Sequence, residues 1–501
     1  MSPAEKTKAF LEIAPQFKLG HLVTESFHPK TLHLSQLVKT DISDAFKLLQ
    51  EIDLEALRIL SSKNDLIWEL FLSIKDTLNA GNKIFLCGCG ATGRLSLVLE
   101  TLFRQKFSDK NLVFSFMAGG DFALIKSVES FEDNTHYGEV QLMEMGFGPN
   151  DLLLASSEGG ETPFVIGAVQ KASLSSSRKP YFLYCNPDEV LLPIKRSRDV
   201  IVNPGIKKIN LTVGPMAISG STRMQASTVL MLAIGLALLY EHNSLEEFNL
   251  FYQKFLEKLS LTNYQELIPF TNLEARLYEE GKFLNYVTDS NLGISILTDT
   301  TERSPTFSLS GFENRFDENP HHALSYLFLP DTKTSDEAWN KLLWRSPRPI
   351  DWPELKGRIN KERLLGFDIS QIGLSKRKSS IPTKDFLITY KEGRVYFKCD
   401  LHETFFDWGE DYLFNHLMIK MLLNAHSTLI MGLMGRYEGN VMTWVRASNN
   451  KLIDRAARYT LQVLKQKNKT PSYEDVVLKI FEQIENLEEN EAIVMKVVDQ
   501  F

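Results

Sequence analysis

Apolar side chains recur every three to four residues from Thr40 to Asn79 (Ala45, Leu48, Leu49, Ile52, Ala56 and Ile59, then Ile67 through Leu78). That spacing predicts two helices, each with one buried face. The pattern breaks at Gly81. A short apolar run at 83–87 predicts a strand, followed by a glycine-rich turn and a helical stretch over 94–107. The alternation then repeats, with strands predicted at 112–116, 151–155, 180–184 and 208–212 and helices at 122–132, 137–145, 162–174 and 221–240. Strands alternating with helices predict a parallel sheet covered on both faces.

The second half repeats this rhythm with weaker punctuation. Strands are predicted at 283–288 and 325–329, a helix at 335–343, a hairpin over 386–399, and a long apolar helix at 412–432 that matches 221–240 in place and character. Two tandem α/β units are therefore expected, each a parallel sheet flanked by helices, with a short helical C-terminal tail. The expected division is an N-terminal arm at 1–40, a first unit at 41–245, a helical linker at 246–275, a degenerate second unit at 276–455 and the tail at 456–501. In that tail Ser472 and Asp475 are spaced like a capping box.

Composition narrows the function. The 501 residues carry a net charge of -7, with 43% hydrophobic and 24% charged residues, which fits a soluble globular protein and argues against a nucleic-acid binder. No secretory signal opens the chain, and the apolar stretch 226–240 is too short to span a bilayer. The four cysteines do not suggest a disulfide framework. A cytoplasmic protein without membrane contact is expected.

Three polar loops stand at three expected helix starts. Gly88, Gly90 and Gly93 form a G-x-G-x-x-G turn after the first strand. Such glycines let backbone approach a ligand, and the following helix offers unpaired N–H groups to a phosphate. The same motif also fits a nucleotide cofactor. The second loop runs from Ser156 to Thr162 and includes Ser157, Gly159 and Gly160; the third holds Ser219, Gly220, Ser221 and Thr222. Each hydroxyl taken alone is an ordinary helix cap. Together they suit a small polyhydroxylated phosphate ester. His321 and His322 lack further ligands at metal spacing, and 376–378 reads as a solvated charge run. No metal and no cofactor is implied.

The ordered segments Gly88-Cys-Gly-Ala-Thr-Gly-Arg94, Ala118-Gly-Gly-Asp121, Glu129-Ser-Phe-Glu-Asp133, Thr162-Pro-Phe-Val165, Gly214-Pro215, Ser219-Gly-Ser-Thr-Arg-Met224 and, near the other end, Ser448-Asn-Asn-Lys-Leu-Ile-Asp-Arg455 resemble the sugar-isomerase (SIS) family. They are most similar to its branch containing N-acetylmuramic acid 6-phosphate etherase and glucokinase regulatory protein. The resemblance implies phosphate-facing roles for Thr92, Ser157, Ser221 and Thr222, sugar-hydroxyl roles for Glu129 and Glu132, and donors Lys451 and Arg455 reaching in from the second unit. It further implies a phosphosugar ligand (a fructose phosphate or an amino-sugar phosphate) and a sugar-kinase partner. On the residues alone, Glu129 and Glu132 also fit a solvated helix face, and Lys451 and Arg455 a solvated helix start.

The chain departs from the family pattern at several points. Ala91 removes one hydroxyl, Gln225 stands for a lysine, Met216 for an acidic residue, and Glu158 and Glu161 add carboxylates to a loop expected to hold an anion. Ether cleavage of the etherase kind needs an acid and a base. Glu132 corresponds to one of them; at the other's place the first unit has Thr101 and Leu102, with Glu100 out of register. The stretch 299–306 resembles the segment that carries the second, so Glu302 is the candidate. The expected function is sensing or sequestering a hexose phosphate without turnover. A lyase using Glu132 and Glu302 is the alternative, a sugar-phosphate isomerase the next, and a purely structural pair of units the last.

Overall fold

Short runs make the first sheet, the first four almost wholly buried and the fifth, at the edge, only partly: β1 Ile84–Gly88, β2 Val113–Met117, β3 Leu152–Ser156, β4 Tyr181–Tyr184 and β5 Lys207–Asn210. In this computed structural model, which describes residues 1–14, 19–128, 131–318, 321–445, 447, 450–488 and 491–501, all five are parallel, in the order β2-β1-β3-β4-β5. The chain leaves β1 toward β2 on one side and returns to β3 on the other. A crevice opens at such a reversal, beyond the carboxyl ends of the central strands. The first two polar loops begin there, after Gly88 and after Ser156.

The second sheet contains β6 Phe283–Thr288, β7 Ser325–Phe328, β8 Thr383–Lys391, β9 Arg394–Cys399 and β10 His402–Asp407, in the order β10-β9-β8-β6-β7. β6 runs parallel to β7 and β8. The expected hairpin is present as β8–β9 and continues into an unforeseen antiparallel third strand, β10.

The two long apolar helices, Gln225–Leu239 and Tyr412–Leu433, join the units. They approach so closely at Gly235 that a Cβ there would lie 2.6 Å from Leu413. No helix among the described residues is long and apolar enough to cross a membrane. The N-terminal helix Pro3–Ile13 packs on Tyr473–Ile484 of the tail, with Phe10 edge-on to Phe481 at 6.2 Å. Ser472 caps the latter helix as its spacing predicted, accepting from the Asp475 amide at 3.0 Å.

Two local expectations need correction. In place of a helix over 122–132 there is a 3-10 turn, Asp121–Leu124, entered through Gly119 and Gly120 at φ +88° and +64°, and a turn follows at 131–133. The charge run at 376–378 belongs to the helix Gln371–Ser380, where Arg377 is buried against Glu313 and the Ala323 carbonyl.

Candidate functional site

The first loop is built by close approach. Gly90 takes φ +55°, and a Cβ on Gly93 would lie 2.5 Å from the Met117 Cβ, so the helix Ala91–Lys106 can sit directly against β2 only with glycine there. The Thr92 hydroxyl is turned onto its own loop, donating to the Cys89 carbonyl and accepting from the Cys89 amide, each at 2.9 Å. In the second loop the Ser157 hydroxyl meets that of Thr162 at 2.9 Å and accepts from the Gly160 amide at 3.1 Å, while the Gly159 carbonyl accepts from Asn186 at 3.0 Å. In the third loop the hydroxyls of Ser221 and Thr222 make no hydrogen bond among the described residues. The helix behind them begins at Gln225 rather than at Ser221.

Residues distant in sequence close over these loops. Lys451, at the start of the helix Asn450–Gln466, donates to Glu132 at 3.2 Å and to Glu161 at 3.1 Å. Burial works against the Lys451 ammonium, but Glu132 and Glu161 outweigh it and hold its pKa above the ordinary lysine value. Burial alone would raise Glu161; Lys451 and Arg196 hold it at about 2. Its carboxylate is thereby neutralised by two cations. Arg455 lies one turn further along the same helix, but its guanidinium is taken by Glu25, which Arg458 contacts at 3.1 Å as well. A Cβ on Gly220 would lie 3.0 Å from the Glu25 carboxylate and 3.4 Å from the Arg455 guanidinium carbon. The third loop is further held by Tyr459, whose hydroxyl donates to the Ser219 carbonyl at 2.6 Å. Arg455 thus reaches the loop expected of it with a carboxylate already on it.

Deeper between the units lie carboxyls of a different kind. Glu158 is buried, accepts from Ser227 at 2.9 Å, and is pushed up to about 7, mainly by burial. Glu302, on the helix Gly293–Phe307 of the second unit, is 4% exposed and makes no hydrogen bond among the described residues. Burial raises its pKa; Arg94, Arg223 and Lys420 pull the other way. Glu158 feels both Glu302 and Lys451, and Cys89 feels Glu132, Lys451 and Glu158, so the first-unit loops share one electrostatic neighbourhood with Lys451 and Glu302. Glu129 lies outside the described residues. Glu100 does not belong to this site: Ser115, Arg104, Arg345 and Arg348 engage its carboxylate, and against the effect of burial Arg345 and Arg348 hold it at about 2.

Two participants escaped sequence reasoning. Glu25 carried no local signal. Lys420 did, as the one formally charged residue in the helix Tyr412–Leu433. Its ammonium donates to the Arg223 carbonyl at 2.7 Å and to Thr228 at 2.8 Å, pinning the third loop from below, and burial lowers its pKa to about 8. Gln225, where the family pattern has lysine, instead bridges Asp53 at 2.6 Å and the Ala217 amide at 2.9 Å. Among the described residues no cluster of His, Cys, Asp or Glu is placed to hold a metal ion.

The model of the glucokinase regulatory protein N-terminal SIS domain matches residues 67–173. N-acetylmuramic acid 6-phosphate etherase of Synechococcus elongatus is 34% identical over 212 residues, 42% of this chain and 64% of that protein. The etherase of Prochlorococcus marinus is 31% identical over 230 residues, 46% of this chain and 68% of its own length. The chain therefore spans a little under two thirds of the first of these relatives. Among solved structures, tagatose-6-phosphate ketose/aldose isomerase from Escherichia coli overlays only loosely, with a TM-score of 0.43 at 11% identity, over 78% of this chain and 95% of that one.

Proposed function

Because this chain belongs to the SIS family, in the branch of the N-acetylmuramic acid 6-phosphate etherases and the glucokinase regulatory protein, we propose that it binds one hexose phosphate per chain and senses it without turnover. The observation that carries this reading is the composite site. The loops of the first unit supply hydroxyls and helix starts, and Lys451 supplies the cation from a helix some 290 residues away in sequence. Hydroxyls and a charged ammonium are the groups that recognise a phosphate ester. In this reading Ser221 and Thr222 meet the phosphate first, Ser157 and Thr92 turn from their own loops to join them, and Glu132 accepts from the sugar hydroxyls. Arg455 is a second donor, paired with Glu25 as Lys451 is with Glu132 and Glu161, and each exchanges part of that pairing for the phosphate. The division at 41–245 and 276–455, a cytoplasmic location and a sugar-kinase partner belong to the same proposal.

Glu302 favours one second reading, a lyase. A buried carboxyl with a raised pKa suits an acid, and Glu132 could serve as base. Against it stands the placement of the pair: Glu132 is half exposed and tied to Lys451, while Glu302 is buried between the units.

Calorimetry with fructose 6-phosphate and N-acetylmuramic acid 6-phosphate tests the proposal. One site per chain is expected. Lys451→Met should weaken the phosphate ester about ten- to hundred-fold, as when a charged hydrogen bond is lost, and leave the free sugar unchanged. Two equal sites would overturn the composite arrangement. D-lactate release at several turnovers per second, abolished by Glu132→Gln and by Glu302→Gln, would replace the sensor with the lyase.

A further inference from the structure

Between the helix Ser335–Leu343 and the 3-10 turn Pro353–Leu355, the second unit sends an extended strap across the first. Pro347 and Pro349 restrict its backbone to extended conformations, so little freedom is lost when it docks. Its near end is pinned electrostatically. Arg345 grips Asp121 with both terminal nitrogens, at 2.6 and 3.0 Å, and the Arg348 amide donates to the same carboxylate at 2.6 Å. The Asp121 amide in turn donates to the Arg348 carbonyl at 3.3 Å. Ile350 then packs over Gly120, where a Cβ would lie 3.0 Å from its side chain.

The far end carries an aromatic residue onto the segment that holds Glu132. The Trp352 indole stacks on Phe131 at 5.7 Å with 14° between the rings, and lies 5.2 Å from Tyr137. Its N–H donates to both carboxylate oxygens of Glu144, at 2.9 and 2.8 Å. Phe131 is buried, one residue before the exposed Glu132. On its other side the turn is tied down because the Glu132 carbonyl accepts from the Phe164 amide at 3.1 Å. The turn at 131–133 is not itself part of a helix or strand; stacked aromatic rings hold it, together with the Phe164 amide on the Glu132 carbonyl and the Asn134 amide on the Phe131 carbonyl at 3.3 Å.

The geometry points to Trp352 as a specificity-positioning residue: by clamping Phe131, the second unit sets where the Glu132 carboxylate stands for the sugar. This rests on the phosphosugar reading above, with Glu132 facing the sugar and the loops and Lys451 facing the phosphate. Trp352 touches no ligand itself. Its loss should therefore disturb the sugar end of the site most, while the phosphate end keeps its hydroxyl loops and a Lys451 still anchored by Glu161.

The test uses the full chain with fructose 6-phosphate and, as a separate probe, inorganic phosphate. Trp352→Ala should weaken fructose 6-phosphate about five- to tenfold, the size of a lost aromatic contact, while inorganic phosphate stays within about twofold. Trp352→Phe should restore most of the loss. Glu144→Ala, which removes only the exposed anchor of the indole, should give a smaller loss in the same direction. Amide exchange at Asn134 and Phe164 is followed in parallel and should quicken in Trp352→Ala. Unchanged affinity with unchanged exchange overturns the inference, as does an equal loss of both ligands that Trp352→Phe fails to rescue. If the wild-type chain binds no phosphosugar, the reading of the function falls; quickened exchange then upholds the clamp and unchanged exchange removes it too.

Discussion

Arg303→Met is expected to lower the unfolding free energy by about 3–5 kcal/mol, the cost of leaving buried carboxylates without their cation. Arg303 is 2% exposed. It meets Glu274 at 2.7 Å, Asp299 at 2.9 Å and the Tyr286 hydroxyl at 2.8 Å. Glu274 also accepts from Tyr278, Tyr286 and His426. Burial would raise the Glu274 carboxyl, but Arg303 and His426 hold it at about 2. Asp299 extends the network to Ser427 at 2.9 Å and to Arg223 at 3.1 Å, beside the third loop. Methionine fills much of the space and supplies no charge. Urea unfolding of wild type and variant measures the difference; a cost below about 1 kcal/mol, the level of exposed pairs, would mean that water reaches these carboxylates. Because Arg223 joins the network to the Ser219–Met224 loop, the variant should also bind phosphosugar more weakly at temperatures where it remains folded.

The second large effect is a loss of stability as pH rises. Glu158 stands at about 7 in the folded protein against an ordinary carboxyl value of 4.5, so the folded state holds its proton more tightly than the unfolded state does. Its contribution is fully present below pH 4.5 and is lost as pH rises through 7. At about 1.4 kcal/mol per pH unit, the loss across that window comes to roughly 3 kcal/mol. Glu302 shifts in the same direction and adds to it. Glu100, Glu161 and Glu274 do the reverse: their pKa values near 2 give stability that is present above their ordinary value and lost as pH falls toward 2. Glu158→Gln keeps an acceptor for Ser227 but cannot ionise. Melting curves from pH 5 to 8.5 should show the variant gaining on wild type up to about pH 7 and holding a constant lead above it. Parallel curves would place the Glu158 carboxyl in contact with solvent and refute its burial.

The first unit was readable because its first four strands are short apolar runs, and its loops announce themselves by glycine and hydroxyl content. The second unit hid its elements for physical reasons. The helix Gly293–Phe307 contains Pro305 and buries Asp299, Thr300, Thr301, Glu302 and Arg303, so the polar network that stabilises it also erases its apolar stripe. β10 is an edge strand whose residues are mostly exposed, and it shows no alternation to read. The site divides along the same line. Its loops could be found locally, whereas Glu25 on Arg455, Lys420 under the third loop and Trp352 on Phe131 exist only through tertiary contact. The helix expected over 122–132 failed because Phe131 is held by the aromatic rings of Tyr137 and Trp352, contacts that local spacing cannot express.

The ion pair between Glu25 and Arg455 spans 430 positions of the chain. During synthesis, at about 5–20 residues per second, the first unit leaves the ribosome tens of seconds before Arg455 does. Over that interval the amino-terminal arm has no guanidinium to grip, the third loop lacks its Tyr459 tether, and Glu132 and Glu161 share no cation. A nascent chain in that state presents unpaired acidic side chains that would repel the phosphate proposed for these loops. Ligand can then stabilise only finished molecules, by mass action on the completed fold, and gives no help to chains still being made.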